Sequence, residues 1–263
     1  MFKLASWNVN SLKVRLDQVL TFMDESKIDV LGLQETKVID EQFPIQAFTE
    51  RGYFVVFSGQ KTYNGVAIVS RKPLTDVVMG VPDFEDPQRR IIAATIGDLR
   101  LINLYVPNGA QPATDKYYYK LNWLSQVTAW IKEELKRYPN LAVVGDFNIA
   151  PTDLDVHDPQ SWVGGVLVSP SEREAFSALL ELGLKDSFRA RFPEKQVFSW
   201  WDYRAAGFRR NHGCRIDHIL MSDTLNASCI DVGIEIEPRC SERPSDHAPV
   251  WGLLGLLNGF MPR

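Results

Sequence analysis

Six polar side chains stand at or near the ends of apolar runs in this sequence. They are Asn8, Glu35, Tyr105, Asp146, Asp217 and Asp246. An apolar run that stops at a carboxylate or an amide is typical of a buried strand that ends at a site. Hard cations such as Mg²⁺ take oxygen ligands from carboxylates together with substrate phosphates. The six residues therefore predict a metal-dependent site for phosphodiester hydrolysis, assembled where strands end.

The sharpest local motif is GDFN, which follows the apolar run LAVV. Residues two apart in an extended chain point the same way, so Asp146 and Asn148 could share one small volume. A carboxylate that accepts a proton from water, beside an amide that fixes that water, would activate a nucleophile. A simple turn is the alternative, because Asp and Asn are common in turns.

SDHAPV places Asp246 beside His247, and their side chains should leave the backbone in different directions. Asp217, in RIDHIL, is a candidate to orient His247. A carboxylate partner raises the pKa of a histidine and favours the cation, which would hold a phosphate oxygen rather than remove a proton. A structural histidine is the alternative. We assign that structural role to the other histidines, His157, His212 and His218.

Three further segments offer ligands or contacts. Glu35 in LQETK follows a buried run, where metal ligation competes with capping or a surface ion pair. Tyr105 and Asn108 in LYVPN could both donate to a phosphate oxygen, although a tyrosine at the rim of the core is the alternative. Trp200 in FSWWDYR could form an aromatic platform for a sugar or base, or simply pack in the core.

Length and composition bound the class of protein. The 263 residues suit one large α/β domain or two small ones. A net charge of −4 argues mildly against DNA binding by overall charge, but local basic patches stay open. The basic residues near the motifs, whose alternative reading is scattered solvated charge, are Arg89, Arg90, Lys116, Lys120, Arg209, Arg210 and Arg215.

The remaining composition favours an intracellular enzyme. The three cysteines are odd in number and lack metal-type spacing, which indicates free thiols in a reducing compartment. The start MFKLASWNVN does not resemble a signal peptide, and no apolar stretch reaches the roughly 20 residues that span a bilayer. We therefore expect a soluble cytoplasmic protein. Zinc spacing, a glycine-rich phosphate loop and a serine nucleophile elbow are all missing.

Strands and helices must alternate to position these motifs. Periodicity predicts helices at about 13–26, 43–51, 115–137 and 172–182. It predicts strands at 2–9, 28–34, 53–58, 65–70, 91–96, 99–106, 141–146, 197–201, 215–221, 230–236 and 249–255, with a tight hairpin at Gly97-Asp98. Ser11 should cap the first helix, and Ser171 with Glu174 should form a capping box for the last. The apolar stripe of the first helix should be Val14, Leu16, Val19, Leu20 and Met23. This mixture suggests two sheets packed face to face with helices outside.

Seven motifs, in order and nearly end to end, resemble the exonuclease III family of the endonuclease/exonuclease/phosphatase superfamily. They are WNVNS, LQETK, LYVPNG, GDFNIAPTDLD, FSWWDYRAAGF, RIDHIL and PSDHAPV. The resemblance implies a four-layer α/β sandwich, two packed mixed β-sheets flanked by helices, as a single domain over residues 1–263. It also implies Mg²⁺-dependent hydrolysis of DNA phosphoesters, with Mn²⁺ as a substitute. The implied reactions are cleavage 5′ to abasic sites, removal of 3′-blocking groups and 3′→5′ exonuclease action.

The same resemblance implies roles for individual residues. The metal ligands would be Glu35, Asn8 and Asp246. The residues that act on water or hold the phosphate would be Asp146, Asn148, His247, Asp217, Tyr105 and Asn108. The pocket for a flipped-out abasic sugar and the duplex contacts would be Trp200, Ile216, Arg209 and Arg210. Cys214 stands where some relatives have a tryptophan, so one wall of that pocket departs from the family pattern.

We expect double-stranded DNA with abasic sites or 3′ ends as the partner, no membrane, and a monomer. An abasic nucleotide has no base to unstack, so flipping it out is comparatively easy. The loop at 155–170 should border the product side, where a bulky residue could block an internal abasic site yet admit a 3′ end. Val166 and Val168 in this loop are not obviously obstructive, so abasic endonuclease activity is favoured over a specialised 3′-end-cleaning enzyme.

More distant alternatives are other superfamily branches and a damaged-DNA binding module that does not cut. The other branches include phosphatases of inositol lipids, sphingomyelinases and non-specific nucleases. FSWWDYR and the compact length favour the DNA-repair branch. The complete set of acidic positions argues against a module without catalysis.

Overall fold

Strands form the centre of the computed structural model, which describes residues 1–255. In chain order they are β1 (Phe2–Asn8), β2 (Val30–Gln34), β3 (Phe54–Ser58), β4 (Val66–Ser70), β5 (Thr75–Met79), β6 (Ile91–Ile96), β7 (Leu99–Tyr105), β8 (Leu141–Asp146), β9 (Leu184–Asp186), β10 (Trp200–Trp201), β11 (Gly213–Cys214), β12 (Asp217–Ser222), β13 (Cys229–Ile234) and β14 (Val250–Leu254). The first six-stranded sheet has the order β13-β14-β1-β2-β4-β3, and the second has the order β5-β6-β7-β8-β12-β9. β10 and β11 form a separate two-stranded ribbon.

Residues 1–255 also form eight α-helices, the longest of which cover the outer faces of the two sheets. They are α1 (Leu12–Glu25), α2 (Ile45–Thr49), α3 (Asp115–Arg137), α4 (Pro159–Trp162), α5 (Pro170–Glu181), α6 (Ser187–Arg191), α7 (Gly207–Arg210) and α8 (Asp223–Ala227). One apolar cluster joins α1 and α2 to the first sheet, a second joins α3 and α5 to the second sheet, and a third lies between the sheets. The predicted four-layer α/β sandwich is confirmed. No helix in residues 1–255 combines the length and apolar character that a bilayer crossing requires.

A buried amide fixes how the two sheets face each other. Asn103 on β7 donates to the carbonyl oxygens of Leu33 and Ala67 in the first sheet, both at 2.9 Å. Its own oxygen accepts from Gln34 Nε2 at 2.7 Å. Gly32 leaves room for this contact, because a Cβ there would lie 3.0 Å from the Asn103 oxygen. Buried polar groups must be paired, so these bonds favour one alignment of the sheets.

Several predicted elements are confirmed, and some have the predicted bounds. α3 begins and ends where the periodicity predicts, and so does β8. β6 and β7 form the predicted hairpin, in which Ile96 pairs with Leu99 across a two-residue turn. The three cysteines are free, as predicted.

Short elements escaped prediction. β5 lies at a sheet edge and is mostly exposed, so its sequence lacks the apolar pattern of a buried strand. β9, α6, α7 and α8 are between three and five residues long, which is too short for a period to be read. The strand predicted at 197–201 is reduced to Trp200–Trp201.

Both predicted caps are wrong. The capping box of α5 joins Ser169 to Glu172, not Ser171 to Glu174, because Pro170 occupies the first helical position, where its missing N–H costs nothing. Ser11 precedes α1 with a φ of 92°, and its side chain makes no capping hydrogen bond. The first turn of α1 is instead tied by backbone bonds to the segment after β2.

The apolar stripe predicted for α1 is partly wrong as well. Val14 is exposed, whereas Leu12 and Phe22 are buried. Leu12 and Phe22 belong to the cluster that joins this helix to the first sheet.

Arg215 is a buried structural cation rather than a solvated or DNA-facing one. Its guanidinium lies 2.7 Å from both Asp155 and Asp186, and 3.1 Å from His218 Nδ1. Burial opposes ionisation of Asp155, but the charge of Arg215 outweighs it and lowers the pKa of Asp155 to about 2. This network anchors the start of the loop at 155–170 to β9 and β12. His218 has a structural role, as predicted. One ring nitrogen contacts Arg215 in this network, and the other, Nε2, contacts the Ile149 carbonyl at 2.9 Å.

Candidate active site

Strand pairing brings the predicted site residues to one end of the sandwich. Tyr105 pairs with Asp146 in the parallel register of β7 and β8, and Asp217 pairs with Asp146 in the antiparallel register of β12 and β8. Asn8 is the last residue of β1 in the first sheet, and it pairs with Gln34, the last residue of β2. The carboxyl ends of β1, β2, β7 and β8 and the amino end of β12 therefore meet at this site.

The amide of Asn8 bridges two carboxylates that belong to different sheets. Asn8 Nδ2 lies 2.9 Å from Glu35 Oε1 and 2.9 Å from Asp146 Oδ2. Glu35 follows β2 in the first sheet, whereas Asp146 ends β8 in the second. One side chain thus sets the separation of the two acids.

Backbone turns, rather than extended chain, aim two of the site residues. Glu35 and Asn148 have φ values of 50° and 48°, in the left-handed region that most residues avoid. Asn148 N donates to Asp146 Oδ1 at 2.9 Å, and Asn148 Nδ2 lies 3.4 Å from Asp146 Oδ2. The predicted closeness of Asp146 and Asn148 is present, but the extended geometry predicted for it is wrong. Gly145 is required before them, because a Cβ there would lie 1.9 Å from the Leu104 oxygen.

His247 is held between two acids. Its Nδ1 lies 2.9 Å from Asp217 Oδ2, the predicted pairing, and its Nε2 lies 3.7 Å from Asp146 Oδ2. Ser199 donates to the same Asp217 oxygen at 2.6 Å. Burial alone would lower the pKa of His247, but the charges of Asp217 and Asp146 raise it to about 10. The imidazole is therefore a cation at neutral pH.

Asp146 has a higher pKa than an exposed aspartate, because it is buried. Burial raises its pKa to about 7, although the nearby cation of His247 opposes that shift. A carboxylate with a pKa near neutrality can accept a proton and release it again under physiological conditions.

Two residues that sequence reasoning missed complete the polar cluster. Asn10 Nδ2 donates to Asp246 Oδ1 at 2.9 Å, and Lys37 Nζ donates to Asn10 Oδ1 at 2.6 Å. Lys37 Nζ also lies 3.0 Å from Glu35 Oε2. Both residues stand inside motifs that carried the family resemblance, WNVNS and LQETK, which was the only signal for them.

Tyr105 and Asn108 line the open side of the site. Burial, and then the charges of Glu35 and Asp146, raise the pKa of Tyr105 well above its usual value, so the phenol keeps its proton and can donate. Asn108 Nδ2 donates to Asn148 Oδ1 at 3.0 Å. From these residues a groove of about 550 Å³ extends past the basic side chains of Arg90 and Lys116.

The residues predicted to form the sugar pocket lie in an apolar wall, which also contains Leu167, a residue that was not predicted. Ile216 and Cys214 are buried in a cluster with Leu167, and half-buried Trp200 packs against it. Trp200 Nε1 also donates to Asp246 Oδ2 at 3.0 Å. Leu167 is 3% exposed and has a φ of 77°, a conformation that is strained for leucine.

Arg209 and Arg210 lie outside the cluster. Both are exposed on α7, and no hydrogen bond or ion pair within residues 1–255 joins them to the site acids. His157 and His212, which were assigned a structural role, stack on each other with ring centroids 4.6 Å apart. The structure therefore separates a buried polar cluster from exposed basic residues beyond it.

The donor set fits a hard divalent cation. One ligand atom each from Glu35, Asp146 and His247 lies within 4.8 Å of the other two. A cationic imidazole has no free lone pair, so the carboxylates of Glu35 and Asp146 are the oxygen donors in this group. Asn8 turns its NH₂ group toward these acids, and the oxygens of Asp246 accept from Asn10 and Trp200. Metal ligation by Asn8 and Asp246 stays a prediction.

The chain is similar to one protein family and to nucleases of that family. The Endonuclease/Exonuclease/phosphatase family profile matches residues 5–247. Exodeoxyribonuclease III of Haemophilus influenzae is 39% identical, over 95% of this chain and 98% of its own length. DNA repair nuclease APEX1 of Danio rerio is 30% identical, over 94% of this chain and 80% of its own length.

Solved structures agree with these relatives. A 3′ phosphatase from Neisseria, bound to a product DNA hairpin, is 46% identical with a TM-score of 0.96, covering 97% of this chain and 100% of its own. An AP endonuclease from Archaeoglobus fulgidus is 38% identical with a TM-score of 0.94, over the same shares of the two chains.

Replacing Glu35 tests the cation site without any assumption about substrate. Glu35→Gln keeps the oxygen that Asn8 contacts but removes one negative charge, so we expect Mn²⁺ to bind at least about tenfold more weakly. Paramagnetic resonance of free Mn²⁺ would measure the affinity. Glu133→Gln, at an exposed glutamate on α3, is the control and should leave the affinity unchanged. Equal affinity in wild type and Glu35→Gln would place the cation elsewhere.

Proposed function

The chain belongs to the endonuclease/exonuclease/phosphatase family and is a phosphoester-hydrolysing DNA-repair nuclease, and we propose that its main reaction is cleavage of duplex DNA 5′ to an abasic site. Removal of 3′-phosphate and other 3′-blocking groups and 3′→5′ exonuclease action would be further reactions of the same site. The observation that carries the proposal is one buried cluster in which a carboxylate with a near-neutral pKa, a cationic histidine and a second carboxylate converge.

Activation of water is assigned to Asp146, with Asn148 as its helper. The Asp146 carboxylate would take the proton of the attacking water, because its raised pKa lets it act as a base near neutrality. Asn148 contacts Asp146 through both its backbone and its side chain, so its amide can hold the same water in line.

The phosphate would be held by donors that surround it. Cationic His247, fixed through Nδ1 by Asp217, presents Nε2 toward Asp146 and can donate to a phosphate oxygen there. Tyr105 and Asn108 would donate from the groove side. Positive and donating groups that are fixed before the reaction stabilise the negative charge that builds up on the phosphate.

A divalent cation fits this mechanism, and we propose Mg²⁺, with Mn²⁺ as a substitute. Glu35 would hold it, with Asn8 and Asp246 close by. When bound, the cation supplies Lewis-acid stabilisation of the phosphate and the leaving oxygen.

Recognition of the damaged nucleotide is assigned to the apolar wall. Trp200 and Ile216 would contact the flipped-out sugar, which carries no base and is therefore easier to extrude. The exposed Arg209 and Arg210 would contact or wedge the duplex. Contacts of that kind position the enzyme without sequence preference.

We also propose that the chain acts as one domain over residues 1–263, of which 256–263 lie outside the described residues, as a monomer, and in the cytoplasm. The family match over residues 5–247 supports a single domain. Nothing in this proposal requires a second copy, because every assigned site residue lies in one chain.

A specialised 3′-end-cleaning enzyme is the second candidate, and Leu167 favours it. Leu167 packs against Ile216 and Cys214, so its side chain takes up space in the wall proposed for the abasic sugar. The Neisseria relative described above is itself a 3′ phosphatase. A narrowed wall would hinder an internal nucleotide more than a 3′ end.

Two labelled duplexes test the main proposal, one with an internal abasic site and one nicked with a 3′-phosphate. We expect wild type to cut the internal site with Mg²⁺ and not with chelator. Asp146→Asn should bind the duplex normally but lose about 10²–10⁴-fold in turnover, because it removes the base. Asp98→Asn, in the exposed hairpin turn, is the matched control. Full turnover by Asp146→Asn, or no action on either duplex, would contradict the proposal.

Leu167→Gly separates the two candidate functions. Glycine adopts the observed positive φ without strain and removes the side chain from the wall, so we expect internal cleavage to rise about tenfold relative to 3′-phosphate removal. Val163→Ala, at an exposed position of the same loop, should leave this ratio unchanged. An unchanged ratio in Leu167→Gly would rule out Leu167 as the barrier and with it the structural support for the second candidate.

A further inference from the structure

A buried ion pair lies directly behind the candidate active site. Lys120 on α3 and Glu172 on α5 are both fully buried and bond to each other. A lysine is almost never buried in this way unless it is paired, because leaving water costs its charge a large solvation energy. The sequence places Lys120 among basic residues available to solvent or DNA, and this interpretation is wrong.

The remaining bonds of Lys120 go to the backbone of two site residues. Its Nζ donates to the Asn148 carbonyl at 2.6 Å and to the Asn108 carbonyl at 3.2 Å. Asn108 follows β7 and Asn148 follows β8, so one ammonium group ties together the two segments that carry the amides of the site. Those amides bond to each other at 3.0 Å, and Asn148 contacts Asp146.

Glu172 extends the connection to a third segment. Its carboxylate accepts from Leu167 N at 3.0 Å, from Ser169 N at 3.1 Å and from Ser169 Oγ at 2.6 Å. The pair therefore joins the end of the loop at 155–170, which contains Leu167, to both amide-bearing segments.

The aliphatic part of the Lys120 side chain also lies close to the loop after β7. Gly109 has a φ of 90°, and a Cβ at that position would lie 3.1 Å from Lys120 Cδ. The loop thus passes closely over the buried lysine, and its path depends on that side chain.

We propose that Lys120 and Glu172 are positioning residues for the reaction, fixing the backbone of Asn108 and Asn148 so that their amides face the phosphate and the attacking water. This inference rests on the proposed function for its effect on rate, but not for its effect on structure. Neither residue reaches the reacting atoms. Misplacing a catalytic group by about 1 Å can lower the rate about 100-fold, so a loss of this support should be visible in kcat.

The chain provides a matched control on the same helix. Arg100 on β7 and Glu134 on α3 form another buried ion pair, with Nε and Oε2 2.6 Å apart. Arg100 lies toward the opposite end of β7 from Tyr105, and its further bonds go to Asp76 O and Thr95 Oγ1. Breaking either pair leaves one buried charge without its partner, so both should destabilise the fold. Only the Lys120 pair should affect the site.

Steady-state kinetics of Lys120→Met and Glu172→Gln, compared with Arg100→Met and Glu134→Gln, test the proposal. At a temperature where all variants are folded, we expect the first two to lose about 10- to 100-fold in kcat with KM changed by less than about twofold. The two controls should keep the wild-type kcat. If Lys120→Met does not fold, Glu172→Gln alone decides the comparison. Unchanged kcat in a folded variant of the Lys120 pair, or an equal loss in the controls, would overturn the proposal.

A second readout needs no substrate. In the DNA-free protein, the side-chain amide NMR signals of Asn108 and Asn148 should shift in Glu172→Gln and Lys120→Met but not in Glu134→Gln. If wild type were inactive on both duplexes, the proposed function would fail, yet shifted amide signals would still support positioning by the pair. Amide signals that stay in place would contradict it whatever the activity.

Discussion

The hydrogen bonds from the Asn8 amide to Glu35 and Asp146 are the contacts on which the rest of the site depends. Glu35 follows β2 of the first sheet and Asp146 ends β8 of the second, so the packing of the sheets brings both acids within reach of Asn8. The buried amide of Asn103 favours one alignment of those sheets, at a point between the strands that end in the site. The apolar core supplies the driving force for packing, and these polar bonds select the arrangement in which the acids meet.

The closeness of Glu35 and Asp146 determines which other charges the site needs. Two acids this close in a buried place are unfavourable unless positive charge or protons compensate them. His247 supplies one compensating charge beside Asp146 and Lys37 supplies another 3.0 Å from Glu35, and a divalent cation suits the negative charge that the further acids Asp217 and Asp246 add. Burial raises the pKa of Asp146, whereas the carboxylates of Asp217 and Asp146 raise the pKa of His247. Desolvation therefore makes Asp146 a base near neutrality, and the surrounding carboxylates keep the imidazole beside it cationic, a pairing that phosphodiester hydrolysis can use.

The sequence predicts the fold because the longer helices and the buried strands have readable apolar patterns, and the short motifs at the ends of the apolar runs locate most residues of the candidate site. α3, whose buried face carries aromatic and aliphatic residues, is predicted to its ends, and the family motifs locate the acids. What it does not predict depends on contacts between distant segments. Asn148 contacts Asp146 through a left-handed turn, and Asn10 joins the cluster through its bond to Asp246. Lys120 can be buried because it pairs with Glu172, which lies 52 residues away in the sequence. Local composition carries no trace of such partners.

The protonation state of His247 is the most direct test of this electrostatic account. Nitrogen-15 NMR of the DNA-free protein, from about pH 6 to about pH 9, would report whether both ring nitrogens carry protons. With a pKa raised to about 10, His247 should stay predominantly protonated over this whole range. Asp217→Asn should bring its titration into the range, because it removes the largest contribution that raises the pKa of His247. A neutral imidazole in wild type at about pH 8 would contradict the account, because His247 could then serve as a base and not as the cation that holds the phosphate.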